Sequence, residues 1–226
     1  MNVYAHTTRG GEDEWEPLEK HLEDVAKRAG EFAGVFGGTE IARVAGLWHD
    51  LGKYSPEFQN YLRESHAGQG RRDRVDHAIG GAAHAMREFR GNLGLSLAFV
   101  IAGHHAGLAD HESERESSLK RRLANREDVS ESAINATPAN IIKLVTPALP
   151  PWLGKGAEKQ PLRVSLFIRM VFSCLVDADR LATEQFARGD SVSLRNASVP
   201  TIPMLRSALD AYVDRLTASR REQVGV

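Results

Sequence analysis

Residues 39–53 read TEIARVAGLWHDLGK. Ile41, Val44, Ala45 and Trp48 recur at three- and four-residue steps, the period of a helix with one buried face. Thr39 offers a cap at its start and Gly52 a stop at its end. The stretch therefore predicts a helix that delivers His49 and Asp50 at its last turn. Neighbouring helical side chains diverge by about 100°, so His49 and Asp50 can serve different sides of one site. A carboxylate has two oxygens and can bridge two ions, which an imidazole cannot. The run Gly46–Lys53 looks superficially like a phosphate-binding loop, but its spacing does not fit and Tyr54 stands where Ser or Thr belongs.

Working outward, helical periodicity dominates. Leu18, Leu22, Val25, Ala29 and Phe32 follow Pro17 at helical steps and place His21 on the inward side. Ser55-Pro56-Glu57 is a restart signal for a helix carrying Phe58, Tyr61 and Leu62. Asp76 reads as the cap of a helix from about 77 to 89, with His77 at its first position. Residues 93–105 are apolar enough for a buried helix that ends near Gly107 and carries His104 and His105. Leu119–Glu127 is charged and weakly amphipathic, and Thr137-Pro138 starts a short helix to about Val145. Pro161 opens a long helix to about Phe186, with Leu162, Leu166, Met170, Cys174 and Leu181 read as its apolar side and Asp177 near it. A last amphipathic helix carries Leu205, Leu209, Tyr212 and Leu216, a stripe that reads as core packing or as a docking face for another subunit. No β-alternation, repeat or low-complexity tract stands out. The expectation is one all-α domain over residues 1–226, with 64–76 and 107–118 as long loops.

Composition sets outer limits. The chain has 226 residues, 42% hydrophobic and 26% charged, with a formal net charge of −1, so it is not a bulk polycation and any field that attracts nucleic acid must be local or carried by bound metal. Its single cysteine, Cys174, excludes an internal disulfide and fits a reducing cytoplasm. No apolar run marks a signal peptide or a membrane span, which points to a cytoplasmic protein without a membrane partner.

Five histidines and two aspartates fall at inward helix positions or helix ends: His21, His49, Asp50, His77, His104, His105 and Asp177. These are ligands of first-row divalent metals. Seven are more than one ion needs, which suggests two, and paired ions are a standard device for hydrolysing phosphate esters. Each residue also has a plain structural reading: an inward histidine is most often hydrogen-bonded in the core, and Asp177 can pair with Arg180 one turn on. His84 reads as packing and His6 as a neighbour of the ligands. Arg71-Arg72-Asp73-Arg74 and Lys120-Arg121-Arg122 read as solvated surface or as contacts to a nucleic-acid backbone.

The order of these pieces resembles the HD superfamily of metal-dependent phosphohydrolases, and within it the HD nuclease of type I CRISPR interference. The resemblance is carried by Tyr4-Ala5-His6-Thr7, Trp15 to His21-Leu22, His49-Asp50-Leu51-Gly52-Lys53 with Phe58, Asp76-His77 with Gly80-Gly81-Ala82, His104-His105-Ala106-Gly107 and Asp177-Ala178-Asp179-Arg180. It implies an all-α HD-superfamily domain and two divalent ions (Mn, Ni, Co, Fe or Mg). His21, His49, Asp50 and Asp177 would hold one; Asp50, His77, His104 and His105 the other. Asp50 and Lys53 would be catalytic, Asp50 as the bridge and Lys53 beside the scissile phosphate or attacking water. It further implies cleavage of single-stranded DNA, with the CRISPR helicase subunit or domain as partner and, through it, the surveillance complex. Ala78 stands where the family often has serine, so a supporting hydrogen bond is expected to be missing. The rival expectations are a phosphohydrolase of small nucleotides and a non-catalytic interaction module.

Overall fold

The computed structural model describes residues 2–68, 76–125, 127–143, 146–153, 160–189 and 200–224, with side chains for all but 127–129 and 218–224. The run 71–74 lies outside them. By contact, the chain divides into two compact units, Met1–Ala187 and Arg188–Val226.

The first unit is helical, as expected: α1 (Leu18–Ala33), α2 (Thr39–Trp48), α3 (Pro56–His66), α4 (Ala78–Glu88), α5 (Asn92–Gly103), α6 (Leu119–Asn125), α7 (Glu127–Ala136), α8 (Ala139–Ile142) and α9 (Pro161–Arg188). A small antiparallel sheet, β1 (Tyr4–His6) with β2 (Glu16–Pro17), was not anticipated. Strands of three and two residues are too short to show alternation in sequence.

Hydrophobic burial assembles this unit. Leu18, Leu22 and Val25 of α1 meet Ile41, Ala45 and Trp48 of α2, and Leu51, Ile79, Leu97 and Ile101 continue the same core. Each such side chain contributes roughly 1.5–3 kcal/mol when fully buried. Trp48 stacks on Phe89 at 5.4 Å and donates its indole N–H to the carbonyl of Ile141. Among the described residues no helix is long and apolar enough to cross a membrane.

Several local expectations are corrected. Thr39 is the first helical residue of α2 rather than its cap, which is Gly38. Asp76 does not cap α4; His77 occupies that position, because the Asp76 carboxylate is taken by Arg122. By contrast, the Ser55 hydroxyl does accept from the Phe58 N–H at 3.2 Å and starts α3. His66 closes α3 instead of lying in a loop. Helix α7, which packs on α4 and on the 51–54 turn, has too polar a sequence to announce itself.

The face of α9 is the correction with consequences. Leu162 and Leu166 are exposed, whereas Phe167, Val171, Leu175, Ala178 and Ala182 are buried. The buried stripe lies about 100° from the one expected, a shift of one residue.

In the second unit, α10 (Ile202–Val224) presents Leu205, Leu209, Tyr212 and Leu216 to solvent.

Candidate metal centre

The HD turn sits where α2 gives out. His49 caps the C-terminal end of α2, and Asp50 leaves helical geometry at φ −115°, ψ 21° to enter a tight turn over Leu51–Tyr54. Both side chains are buried. The His49 Nδ1–H donates to the Gly46 carbonyl at 2.7 Å, so in the neutral ring Nε2 carries the lone pair and faces inward. His104, at the end of α5, repeats the arrangement: its Nδ1–H donates to the Ile101 carbonyl at 2.6 Å. Two histidines from different helices thus present Nε2 to the same place.

That place is Asp50. Its Oδ2 lies 3.3 Å from His49 Nε2 and 3.8 Å from His21 Nε2; its Oδ1 lies 3.3 Å from His77 Nε2 and 3.4 Å from His104 Nε2. His105 joins the second side, with its Nε2 2.9 Å from that of His77. The two helix-end histidines reach one place because α5 stops at Gly103 and Gly107 turns the chain at φ 89°.

His77 is brought in by backbone contact. A Cβ on Gly52 would fall 2.0 Å from the His77 carbonyl oxygen, and one on Gly81 would fall 1.7 Å from that of Trp48. Only glycine lets α4 lie directly against the HD turn.

Asp177 is not part of this cluster. It lies on the exposed side of α9, while Asp179, two residues on, places Oδ1 3.3 Å from His21 Nε2 and 3.7 Å from His49 Nε2. Two helical steps turn a side chain by about 200°, so the misplaced face of α9 carried the aspartate assignment with it. We expect Asp179→Ala to remove metal from the first side of Asp50 and Asp177→Ala to leave metal content and cleavage within about two-fold of wild type. Elemental analysis of the dialysed proteins decides this, and loss of metal in Asp177→Ala alone would reverse the assignment. A supporting ligand partner typically changes metal affinity by about 10–100-fold, so a true ligand is easily told from a bystander.

Charge and burial shape the two sides differently. Burial alone lowers the His49 pKa, but Asp50 and Asp179 outweigh it and raise it to about 10. His21 is likewise raised against its burial, by Asp179 and Glu16. The field on that side favours a positive charge between the imidazoles and the carboxylates. Asp50 itself is held well below the usual carboxylate range: burial opposes this, and Lys53, His49 and His77 overcome it. On the other side, burial lowers His77 to about 3 and His105 to about 4. Both are therefore neutral imidazoles near pH 7, the form that ligates metal.

The donor set fits divalent ions. His21 Nε2, His49 Nε2, His104 Nε2 and Asp50 Oδ1 are buried without a hydrogen-bond partner, a costly condition for polar atoms unless a cation satisfies them. Two groups converge within ligating reach, Asp50–His77–His104–His105 and His21–His49–Asp179. A third, His6–Glu16–His21, is equally close. His21 Nε2 faces Asp179 and Asp50 while its Nδ1 faces Glu16, and a neutral imidazole has one lone pair, so we read that third group as support.

Sequence reasoning passed over three supporting residues. Glu16 is buried opposite His6 across the β1–β2 pair; it accepts from His6 Nδ1 at 2.7 Å and lies 3.4 Å from His21 Nδ1, outside hydrogen-bond geometry. Burial would raise its pKa, yet His21 and His6 hold it at about 2. Gln59 ties Tyr4 to the HD turn, accepting from the Tyr4 N–H and donating to the Tyr4 and Lys53 carbonyls. Arg122 was read as solvated surface or as a nucleic-acid contact, but it forks onto Asp76. Lone polar residues of this kind have no spacing to betray them. Lys53, singled out in the sequence, is buried with Nζ 2.7 Å from Asp50 Oδ2 and 3.2 Å from the Ala5 carbonyl. His84 is packing, edge-on to Trp48 and donating to the Ile142 carbonyl.

The comparison with protein families agrees with this geometry. The model for the HD domain of Cas3 matches residues 4–185, which takes in every residue of the cluster. No curated protein matches the chain at a significant level. The chain belongs to the family of the Cas3 HD domain, the metal-dependent nuclease of CRISPR interference that acts on nucleic acid in association with the Cas3 helicase.

Proposed function

We propose that this protein hydrolyses phosphodiester bonds of single-stranded DNA with two divalent ions. One is held by His21, His49, Asp50 and Asp179, the other by Asp50, His77, His104 and His105. The observation that carries the reading is the division of Asp50, one oxygen toward each histidine group. Ions so placed supply a water nucleophile near neutral pH and offset charge on the reacting phosphoryl group. Imidazole-rich ligation favours Mn, Fe, Co or Ni over Mg.

The chain's own residues do the rest. His49 and His104 hold fixed ring orientations through their backbone hydrogen bonds. Lys53 pairs with Asp50 and lines the cleft, where an ammonium can meet a scissile phosphate. That cleft, about 900 Å³, is lined by Phe58, Tyr61 and Leu62 of α3 and by Leu108 and Arg115. A second cavity of about 320 Å³ reaches the cluster along α9 and shares His6, Lys53 and His105 with the first. Two cavities that meet at the cluster suit a strand that passes through, and a cleft lined by both aromatic side chains and an arginine suits bases and backbone of a single strand. This favours a polymer over a free nucleotide.

Circular single-stranded DNA incubated with the purified protein and Mn²⁺ tests the proposal. We expect the circle to be opened, with no opening in EDTA. Hydrolysis of free nucleotides with circles left intact would replace the proposal by a small-nucleotide phosphohydrolase.

A further inference from the structure

The ligands on the second side of Asp50 come from two separate helix ends, and one arginine joins them. Arg122 of α6 forks onto the Asp76 carboxylate, with Nη2 at 2.9 and 3.1 Å and Nε at 3.1 Å, and its Nη1 donates to the Ala102 carbonyl at 2.8 Å. Asp76 immediately precedes His77 at the start of α4; Ala102 lies in the last turn of α5, two residues before His104. The carbonyl of Ala102 is among the last four of its helix, which have no partner within it. The guanidinium supplies one, and a cation there also suits the helix dipole. Asp76 in turn places a negative charge at the start of α4.

The pair is half-buried, with side-chain exposures of 16% for Arg122 and 32% for Asp76, and so is shielded more than a surface ion pair. A guanidinium binds through several N–H groups in a fixed plane, which a lysine cannot reproduce. Arg122 therefore fixes direction as well as distance between the two ligand-bearing segments. The 107–118 segment closes onto the helix that carries Arg122, since the N–H of Leu119, the first residue of α6, donates to the Asp110 carbonyl.

The geometry points to Arg122 as a positioning residue for the second ion: it holds the start of α4 to the end of α5 so that His77, His104 and His105 converge. This rests on the two-ion reading above. The first side, His21–His49–Asp179, has no residue in this clamp.

The experiment is Mn²⁺ titration of the full chain by calorimetry, with thermal unfolding of the same samples. Wild type should bind two ions. Arg122→Ala should bind the first as wild type does and the second at least about ten-fold more weakly, in the range seen when support behind a metal ligand is removed. Arg122→Lys should restore little, because the fork is lost. The exchanged pair Asp76→Arg with Arg122→Asp should recover part of the second site if Arg122→Ala proves too unstable to titrate. Two unchanged ions in a folded Arg122→Ala would overturn the clamp, as would an exchanged pair no better than Asp76→Arg alone. A wild type that binds one ion would overturn the two-ion reading instead. The clamp would then be judged on that ion: weakened in Arg122→Ala it stands, unchanged it falls.

Discussion

Asp50→Asn lowers cleavage by at least about a thousand-fold, the upper range for removing one preorganised electrostatic group from an active site. The substitution keeps the size of the side chain and removes the charge that both histidine groups face. Its effect extends to the fold. Lys53 is buried 2.7 Å from Asp50, and a buried cation left without its partner costs about 3–5 kcal/mol. Folding and chemistry are separable, because removing both charges together is close to neutral for stability. We therefore expect Asp50→Asn to melt well below wild type in metal-free buffer, and Asp50→Asn with Lys53→Met to melt near it. Neither should cut DNA. Cleavage within ten-fold of wild type in Asp50→Asn would rule out a bridging role for this carboxylate.

The second large effect is expected at a glycine. In Gly81→Ala the new methyl carbon would sit 1.7 Å from the Trp48 carbonyl oxygen. The obstacle is backbone, so α4 must move away from α2 by more than an ångström. Overpacking typically costs about 1–3 kcal/mol, and a rigid neighbour places this case at the upper end. His77 moves with α4, and displacement of a catalytic group by about 1 Å is worth about 100-fold in rate. Denaturant unfolding and cleavage kinetics should both show the loss. Gly34→Ala is the control: its methyl carbon would lie 3.5 Å from the Thr39 hydroxyl, an ordinary contact. Equal behaviour of the two variants would mean that the seam between α4 and the HD turn yields.

How much of this was legible before the structure differs from residue to residue. His21, His49, Asp50, His77, His104 and His105, which the fold brings together, could be singled out because each sits on an inward helical position or a helix end, and polar groups there demand an explanation. The helices that carry them announced themselves through periodicity and, for α3, through the Ser55 cap. The reading failed on α9 because that helix has apolar residues on more than one side. Leu162 and Leu166 are as hydrophobic as Phe167 and Val171, and only packing decides which pair is buried. From that single ambiguity came the choice of Asp177, where the fold brings Asp179 to His21 and His49. Asp76 misled for a different reason. An aspartate before a helix is a good cap in isolation, and nothing local reveals that Arg122, far along the chain, has a stronger claim on it. Glu16 and Gln59 were silent because their partners are set by the β1–β2 pair and by the path of the first residues, which are tertiary facts.

The position of Asp179 has a consequence for biosynthesis. His21, His49 and Asp50 are made early, but the carboxylate that closes their group lies on the last helix of the first unit. Synthesis runs from the N-terminus at about 5–20 residues per second, so the core around α1 and α2 can form seconds before α9 exists. Until then the His21–His49 group lacks its Asp179 carboxylate. On the proposed function, a chain that ends before α9 would lack the Asp179 carboxylate, and competence to cut would arrive only with that helix.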